Sequence, residues 1–157
     1  MSIVVVYQVN VVDWKQAKQQ LKSVREKVFV YEMRIPYNVE FDRHDRKAYH
    51  VLVIEQGSEE PIATGRITSH GEISRVCVVM SKRKSPVGKE VIDALLNIAR
   101  NNNLSEVYIN SSLDAVGYFA RHGFETVGSV FMEAGMPRQR MTCSLGQINF
   151  KRFYLSH

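Results

Sequence analysis

Cysteine, proline and glycine are all scarce in this chain. Its 157 residues include two cysteines, four prolines and nine glycines. That excludes a disulfide framework and any Pro/Gly-rich low-complexity segment. Cys77 and Cys143 both sit in apolar runs, which predicts buried thiols in a reducing compartment. No apolar run approaches the roughly 18 residues of a membrane span. Met1–Val6 lacks the basic start and long apolar core of a secretion signal, so a cytoplasmic protein with no membrane partner is expected. No His/Cys spacing supports a metal site, and neither repeat nor linker divides the chain. What is present is an apolar fraction of 45% with 24% charged residues, enough for one core, so residues 1–157 read as a single domain. Residues 146–157 read as an extra C-terminal segment. Its aromatics Phe150, Phe153 and Tyr154 imply packing, with a homodimer contact as one candidate place.

Local patterns give an order of elements. Ile3–Gln8 reads as a first strand. Asp13 offers a helix cap with Gln16 three residues on, and Trp14, Ala17, Leu21, Val24 and Val28 recur at helical steps to about Tyr31. Pro36 stops that helix, and Glu40–Arg46 follows as a polar stretch with carboxylates at Glu40, Asp42 and Asp45. Ala48–Glu55 and Ile62–Thr68 read as a hairpin and Glu72–Met80 as a third strand. A second amphipathic helix runs from Val87 through Ile98. Val107–Ile109, a short helix Ala115–His122, Val127–Glu133 and Arg140–Leu145 complete β α β β β α β α β β. Early hairpins and a late crossover predict a mixed, mostly antiparallel α/β sheet with helices on both faces.

The net charge is +5, with Lys82, Arg83, Lys84 and Lys89 crowded in one stretch. Such a balance fits a phosphorylated ligand or nucleic acid. The crowding falls where a strand passes through a basic loop into a helix. A helix start presents unpaired N–H groups and partial positive charge, which suits phosphate. Ser85 fits an N-cap, Pro86 the first helical position, and Gly88 leaves room for close approach. An ordinary helix start with solvated basic residues reads equally well from this loop alone.

Arg83-Lys84-Ser85-Pro86-Val87-Gly88, preceded by Arg75-Val76-Cys77-Val78, resembles the acetyl-CoA loop of the GNAT N-acetyltransferases. Ala115–Phe124 is similar to the family's late helix running into Gly-Phe. Phe131-Met132-Glu133-Ala134-Gly135-Met136-Pro137 is similar to a turn of its small ElaA-like bacterial members. Val24–Phe29 and the Glu40…Asp42…Asp45…His50 spacing fit the same subgroup. The likeness covers roughly residues 3–145, in the family's order.

The resemblance implies a splayed sheet with acetyl-CoA in its cleft and direct attack by an amine in a ternary complex. Pantetheine would pair with Cys77, Val78 and Val79, and the diphosphate would lie on Arg83, Lys84, Ser85, Pro86, Val87, Gly88 and Lys89. The N–H near Val78 would stabilise the oxyanion. Glu72, 11 residues before Arg83, matches the general base of the histone-acetylating branch, with a solvated strand-end charge as its plain alternative. His70 is a second candidate base. Two positions depart from the pattern. Pro86 replaces the loop's first glycine and deletes an amide donor, which predicts weakened CoA binding. Phe119 replaces the tyrosine that protonates the thiolate, leaving Tyr118 or water as the acid.

Glu40 and Asp42, with Asp45, are candidates to attract a cationic amine; a solvated loop is the other reading. His50 fits either core or cleft, and Met132, Met136 and Met141 fit packing. The acceptor is a small-molecule or protein amine. A non-catalytic acyl-CoA-binding or regulatory module is the alternative that Phe119 and Pro86 motivate. A nucleic-acid partner rests on charge alone, without a recognised motif, and is not expected.

Overall fold

The computed structural model describes residues 6–146. In chain order the elements are β1 (Tyr7–Val12), α1 (Trp14–Arg25), α2 (Tyr37–Glu40), β2 (Tyr49–Glu55), β3 (Glu60–Ile67), β4 (Glu72–Val78), α3 (Val87–Asn101), β5 (Glu106–Ser112), α4 (Val116–Arg121), β6 (Glu125–Glu133) and β7 (Met136–Ser144). The strands form one sheet ordered β1-β2-β3-β4-β5-β7-β6. Only β4 and β5 pair in parallel, so the sheet is mixed and mostly antiparallel as expected. Among the described residues no helix is long and apolar enough to cross a membrane. The C-terminal segment from Gln147 lies outside the described residues.

The first strand runs Tyr7–Val12, four residues past the expected end at Gln8, while residues 3–5 of the expected Ile3–Gln8 lie outside the described residues. Its register against β2, from Tyr7 opposite Glu55 to Val12 opposite His50, carries it right up to the cap of α1. Asp13 is that cap, its Oδ1 accepting from the Gln16 amide at 2.8 Å. Trp14, Ala17, Leu21, Val24 and Val28 are all buried, as their spacing predicts. The helix then widens into a π-helical turn at Glu26–Glu32, where the Met33 amide reaches back to the Val28 carbonyl at 2.9 Å. That turn faces the sheet centre with Phe29, Glu32 and Met33, and π-turns are frequent at functional sites.

Helices cover both faces of the sheet. All residues from His50 to Ile54 in β2 are buried, so the strand lacks the alternation of a one-sided sheet. On β3, a Cβ at Gly65 would lie 2.8 Å from both Leu95 and Val91 of α3. The next residue, Arg66, instead bonds Asp42 and Asp45 on the opposite side. His50 belongs to the core, with Nε2 2.8 Å from the Asp45 carbonyl oxygen and burial pushing its pKa down. Cys77 is buried as expected, but Cys143 is only half-buried, because β7 lies next to the edge strand β6.

Two irregularities open the centre of the sheet. Between the pairs Thr64–Cys77 and Arg66–Ser74, β4 carries two residues where β3 carries Gly65 alone. This is a bulge, and Arg75 within it takes φ +58°. Parallel pairing of β4 with β5 extends only over Glu72–Tyr108 and Ile73–Ile109. Beyond Ile73 the two strands part. Gly65 lets α3 lie tight behind this opening, so Gly65→Ala is expected to cost about 1–3 kcal/mol by overpacking. A urea unfolding series would check this, and an unchanged midpoint would contradict it.

Candidate active site

The parting strands expose backbone. The Val79 amide donates to the Ile62 carbonyl at 2.9 Å, while Val78 stands opposite Ala63. Backbone groups of successive strand residues alternate in direction. The N–H and C=O of Val78 therefore face away from β3, onto the edge that β5 has left. Of the three residues expected to hold pantetheine, only Val78 offers backbone there. Val79 is corrected, since its amide is spent on β3 and its side chain is buried; Cys77 contributes its side chain to the wall.

A cleft of about 980 Å³ runs through this opening. On the α3 side it is bounded by the helix start. Pro86, not Ser85, is the N-cap, because the Glu90 amide closes the first turn on the Pro86 carbonyl at 3.2 Å. The Ser85 hydroxyl donates to the Lys82 carbonyl at 2.5 Å, and its oxygen accepts a long bond from the Val87 amide at 3.4 Å. Gly88 and Lys89 keep N–H groups with no intrahelical acceptor, which fits a diphosphate. Val87 is buried in the core and Lys84 is exposed, so neither side chain lines the cleft.

A Cβ on Gly88 would collide with the Tyr118 hydroxyl. Tyr118 thus delivers a phenol to the opening of α3, while Phe119 is buried and packs its ring on Phe124 at 5.8 Å. Burial raises the Tyr118 pKa, which keeps the hydroxyl protonated as a donor. The Tyr118 hydroxyl seated over Gly88, the amides following Pro86 and the open edge of Val78 all fit coenzyme A.

Arg83 departs from its expected role beside a diphosphate. Its two terminal nitrogens each lie 2.6 Å from a Glu32 oxygen, and Nε donates to the Val78 carbonyl at 2.9 Å. The guanidinium bridges the cleft between the π-helical turn and β4. Arg83 in turn holds the Glu32 carboxyl below the ordinary range. Lys82 is paired with Glu55, which leaves Lys84 and Lys89 as the uncommitted cations of this loop.

Glu40, Asp42 and Asp45 are not a solvated loop. Arg25, wholly buried, donates to Glu40 Oε2 at 2.8 Å and Asp45 Oδ1 at 2.7 Å. Arg66 binds Asp42 and Asp45 at 2.7 and 2.9 Å, and Arg75 reaches Glu40 and Asp42, both at 3.1 Å. Three guanidiniums meet three carboxylates, so the cluster has no net charge. The expected attraction of an amine by Glu40 and Asp42 is corrected accordingly, although both still line the cleft. Burial raises the Glu40 pKa despite Arg75 and Arg25. Burial also opposes ionisation of Asp42 and Asp45, but their arginine bonds outweigh it and hold both below the usual range. Sequence reasoning missed these arginines as a group. Their signals were an arginine bordering the apolar stripe of α1 and another inside the apolar run Ile62–Thr68.

Glu72 lines the cleft where β4 and β5 are still paired, opposite Tyr108. Asn110 lies beside it, with Nδ2 3.5 Å from Glu72 Oε2 and 3.5 Å from Glu133 Oε2. His70 is exposed against Tyr108, outside the cleft lining. Glu133, Asn110 and Arg138 also line the cleft; Glu133 stands in the ElaA-like turn motif and Arg138 in a weaker basic group near the chain end, but the sequence pattern assigns neither a site role.

The family model for the GNAT acetyltransferase domain matches residues 17–145. The chain belongs to this family, whose general activity is acyl transfer from an acyl-CoA. It is 31% identical to the uncharacterized N-acetyltransferase YjcF of Bacillus subtilis over 131 residues, covering 79% of this chain and 92% of YjcF. The crystal structure of ElaA from Escherichia coli superposes with TM-score 0.71 at 22% identity, over 90% of this chain and 100% of that one. An acyl-CoA N-acyltransferase from Pseudomonas aeruginosa gives TM-score 0.73 at 23% identity, over 90% and 100%. These two likenesses show the shared fold.

The charge cluster has a signature in acid. Carboxyls whose pKa the fold depresses contribute stability that is whole above their unfolded value, about 3.9 for Asp, and lost as pH falls through the depressed one. Asp42 and Asp45 behave so; Glu40, raised by burial, works in the opposite sense with one group against two. Thermal midpoints should therefore fall below about pH 4, and Asp45→Asn should flatten that limb. Arg25→Ala, which leaves two carboxylates buried, should cost about 3–5 kcal/mol at neutral pH. Calorimetry across pH 3–7 checks both.

Proposed function

We propose that the chain moves an acetyl group from acetyl-CoA to a primary amine while both are bound. The observation that carries this reading is the Val78 amide, which turns away from β3 onto the edge where β5 has parted from β4. Acetyl-CoA, held by Val78, the α3 start and Tyr118, supplies the activated acetyl group as a thioester. The N–H of Val78 donates to the carbonyl oxygen as negative charge develops there, a fixed dipole needing no reorganisation at the moment of reaction. Binding both reactants in one cleft supplies proximity. An acceptor that arrives as an ammonium first gives up one proton to free its lone pair; a C–N bond then forms, the C–S bond breaks, and a second proton leaves that nitrogen as the amide is made.

Glu72 is the base for that nitrogen, directly or through one water. It stands where the two strands begin to part, on the opposite side of the opening from α3. The Tyr118 hydroxyl donates to the departing thiolate. A thiol pKa near 8.5 makes the thiolate a tolerable leaving group, so this donor contributes less than the base. Cells that make coenzyme A keep it inside, and a cytoplasmic location accords with that.

Acetyl-CoA incubated with a panel of amines, with free thiol followed by a disulfide reagent, tests the reading. Amine-dependent release is expected. Glu72→Gln should lower kcat by about 10²-fold or more at neutral pH, and Tyr118→Phe by less than about tenfold. Association with CoA but no release with any amine would favour the non-catalytic acyl-CoA-binding module. An unchanged rate in Glu72→Gln would remove Glu72 as base.

A further inference from the structure

Four arginines line the cleft, and three have carboxylate partners. Arg66 binds Asp42 and Asp45, Arg75 binds Glu40 and Asp42, and Arg83 binds Glu32. Arg138 differs. Its Nε is buried with no hydrogen-bond partner, and its one polar contact among the described residues is Nη2 to the Met136 sulfur at 3.9 Å. A desolvated guanidinium N–H without an acceptor is unfavourable, and the planar fork of arginine matches the two oxygens of a carboxylate.

The register of β7 on β5 fixes what lies beside it. Arg138 stands opposite Ser112, and Arg140 opposite Asn110, two residues earlier on the same face. Asn110 is flanked by Glu72 and Glu133, each 3.5 Å from its amide nitrogen. A strand advances about 3.3 Å per residue, so the acidic and basic positions are separated by roughly 7 Å along β5. Arg140 Nε donates to Asn110 Oδ1 at 3.0 Å, so one guanidinium stands with these two carboxylates and the place keeps a net negative charge, with the unmatched Arg138 a short step away. A neutral amine or a polyamine would leave Arg138 unanswered. A phosphate dianion would face the two nearby carboxylates with too little positive charge to balance them.

We infer that the acceptor is an aminocarboxylate, an amino acid whose ammonium lies by Glu72 and Glu133 and whose carboxylate is bound by Arg138. The inference rests on the transferase reading above and names its substrate class. Arg138 is a specificity-determining residue that fixes the end of the acceptor remote from the reacting nitrogen. Its loss should therefore act mainly on acceptor KM, since binding lost equally in ground and transition states leaves kcat unchanged.

Each of a set of amino acids is assayed beside its decarboxylated amine, for example phenylalanine with 2-phenylethylamine and lysine with 1,5-diaminopentane. At least one amino acid should exceed its partner tenfold or more in kcat/KM. Arg138→Gln should erase that preference by raising the amino-acid KM, Arg138→Lys should restore part of it, and the KM for acetyl-CoA should stay unchanged in both. Calorimetric binding of N-acetylated amino acids to the CoA-saturated protein examines the same carboxylate contact without turnover. Thiol release that is indifferent to the carboxylate, or a preference that survives Arg138→Gln, would overturn the inference and leave the transferase reading intact. No turnover with any amine, together with product binding that depends on Arg138, would sink the transferase reading and uphold the carboxylate site. No such binding and no turnover would overturn both.

Discussion

The separation of β4 from β5 beyond Ile73 is the constraint on which the remaining features depend. A sheet loses hydrogen bonds where two strands part, so something must hold them apart. Here the bulge at Arg75 turns β4 away, and the side chain that emerges from it is tied down at Glu40 and Asp42. The six-charge cluster is thus the anchor of the bulge as much as a wall of the cleft. Arg25 brings α1 to it, Arg66 brings β3, and the segment from Glu40 to Asp45 brings three carboxylates. Removing any one ion would leave others buried without partners, so the cluster is costly to break even though its formation carries a large desolvation cost.

Charge neutralisation inside that cluster changes how the cleft is to be read electrostatically. Counting acidic residues in the polar stretch suggests an attraction for cations, but the internal partners cancel it. The same bookkeeping applied to Arg83 removes a cation from the phosphate end, because Glu32 neutralises it. What is left for ligands is the Val78 amide, the first amides of α3 with the Lys89 side chain, the Tyr118 hydroxyl, and the side chains around Asn110. Most of these are neutral dipoles fixed by secondary structure, and a preorganised dipole is the kind of group that stabilises developing charge without moving.

Much of this was legible from local sequence. The apolar spacing of α1, the Asp13 cap, the hairpin of β2 and β3, and the position of α3 all follow from interactions within a few residues. The motifs that carry the resemblance include residues that border the cleft, among them Val78, Gly88 and Tyr118. What stayed hidden depends on distant partners. Arg83 meets a carboxylate 51 positions earlier, and Arg75 bonds the Glu40 carbonyl 35 positions away. No periodicity records such a meeting. The Glu40–Arg46 stretch looked solvated because each of its acidic residues finds its arginine on a different element. The first strand runs on past Gln8 for a related reason, since its end is set by pairing with β2 as far as Val12 opposite His50.

Two adjacent aromatic residues of α4 have opposite surroundings. Phe119 is buried against Phe124. Tyr118 leaves the helix toward the cleft, packs edge-on against His122 at 4.7 Å, and ends with its hydroxyl over Gly88. Gly88 has no need of a left-handed backbone; its service is the space that its missing side chain leaves for that hydroxyl. The phenol and the glycine are therefore a matched pair, and either one alone would be purposeless or obstructed. Burial keeps the phenol protonated, so a neutral donor faces the start of α3.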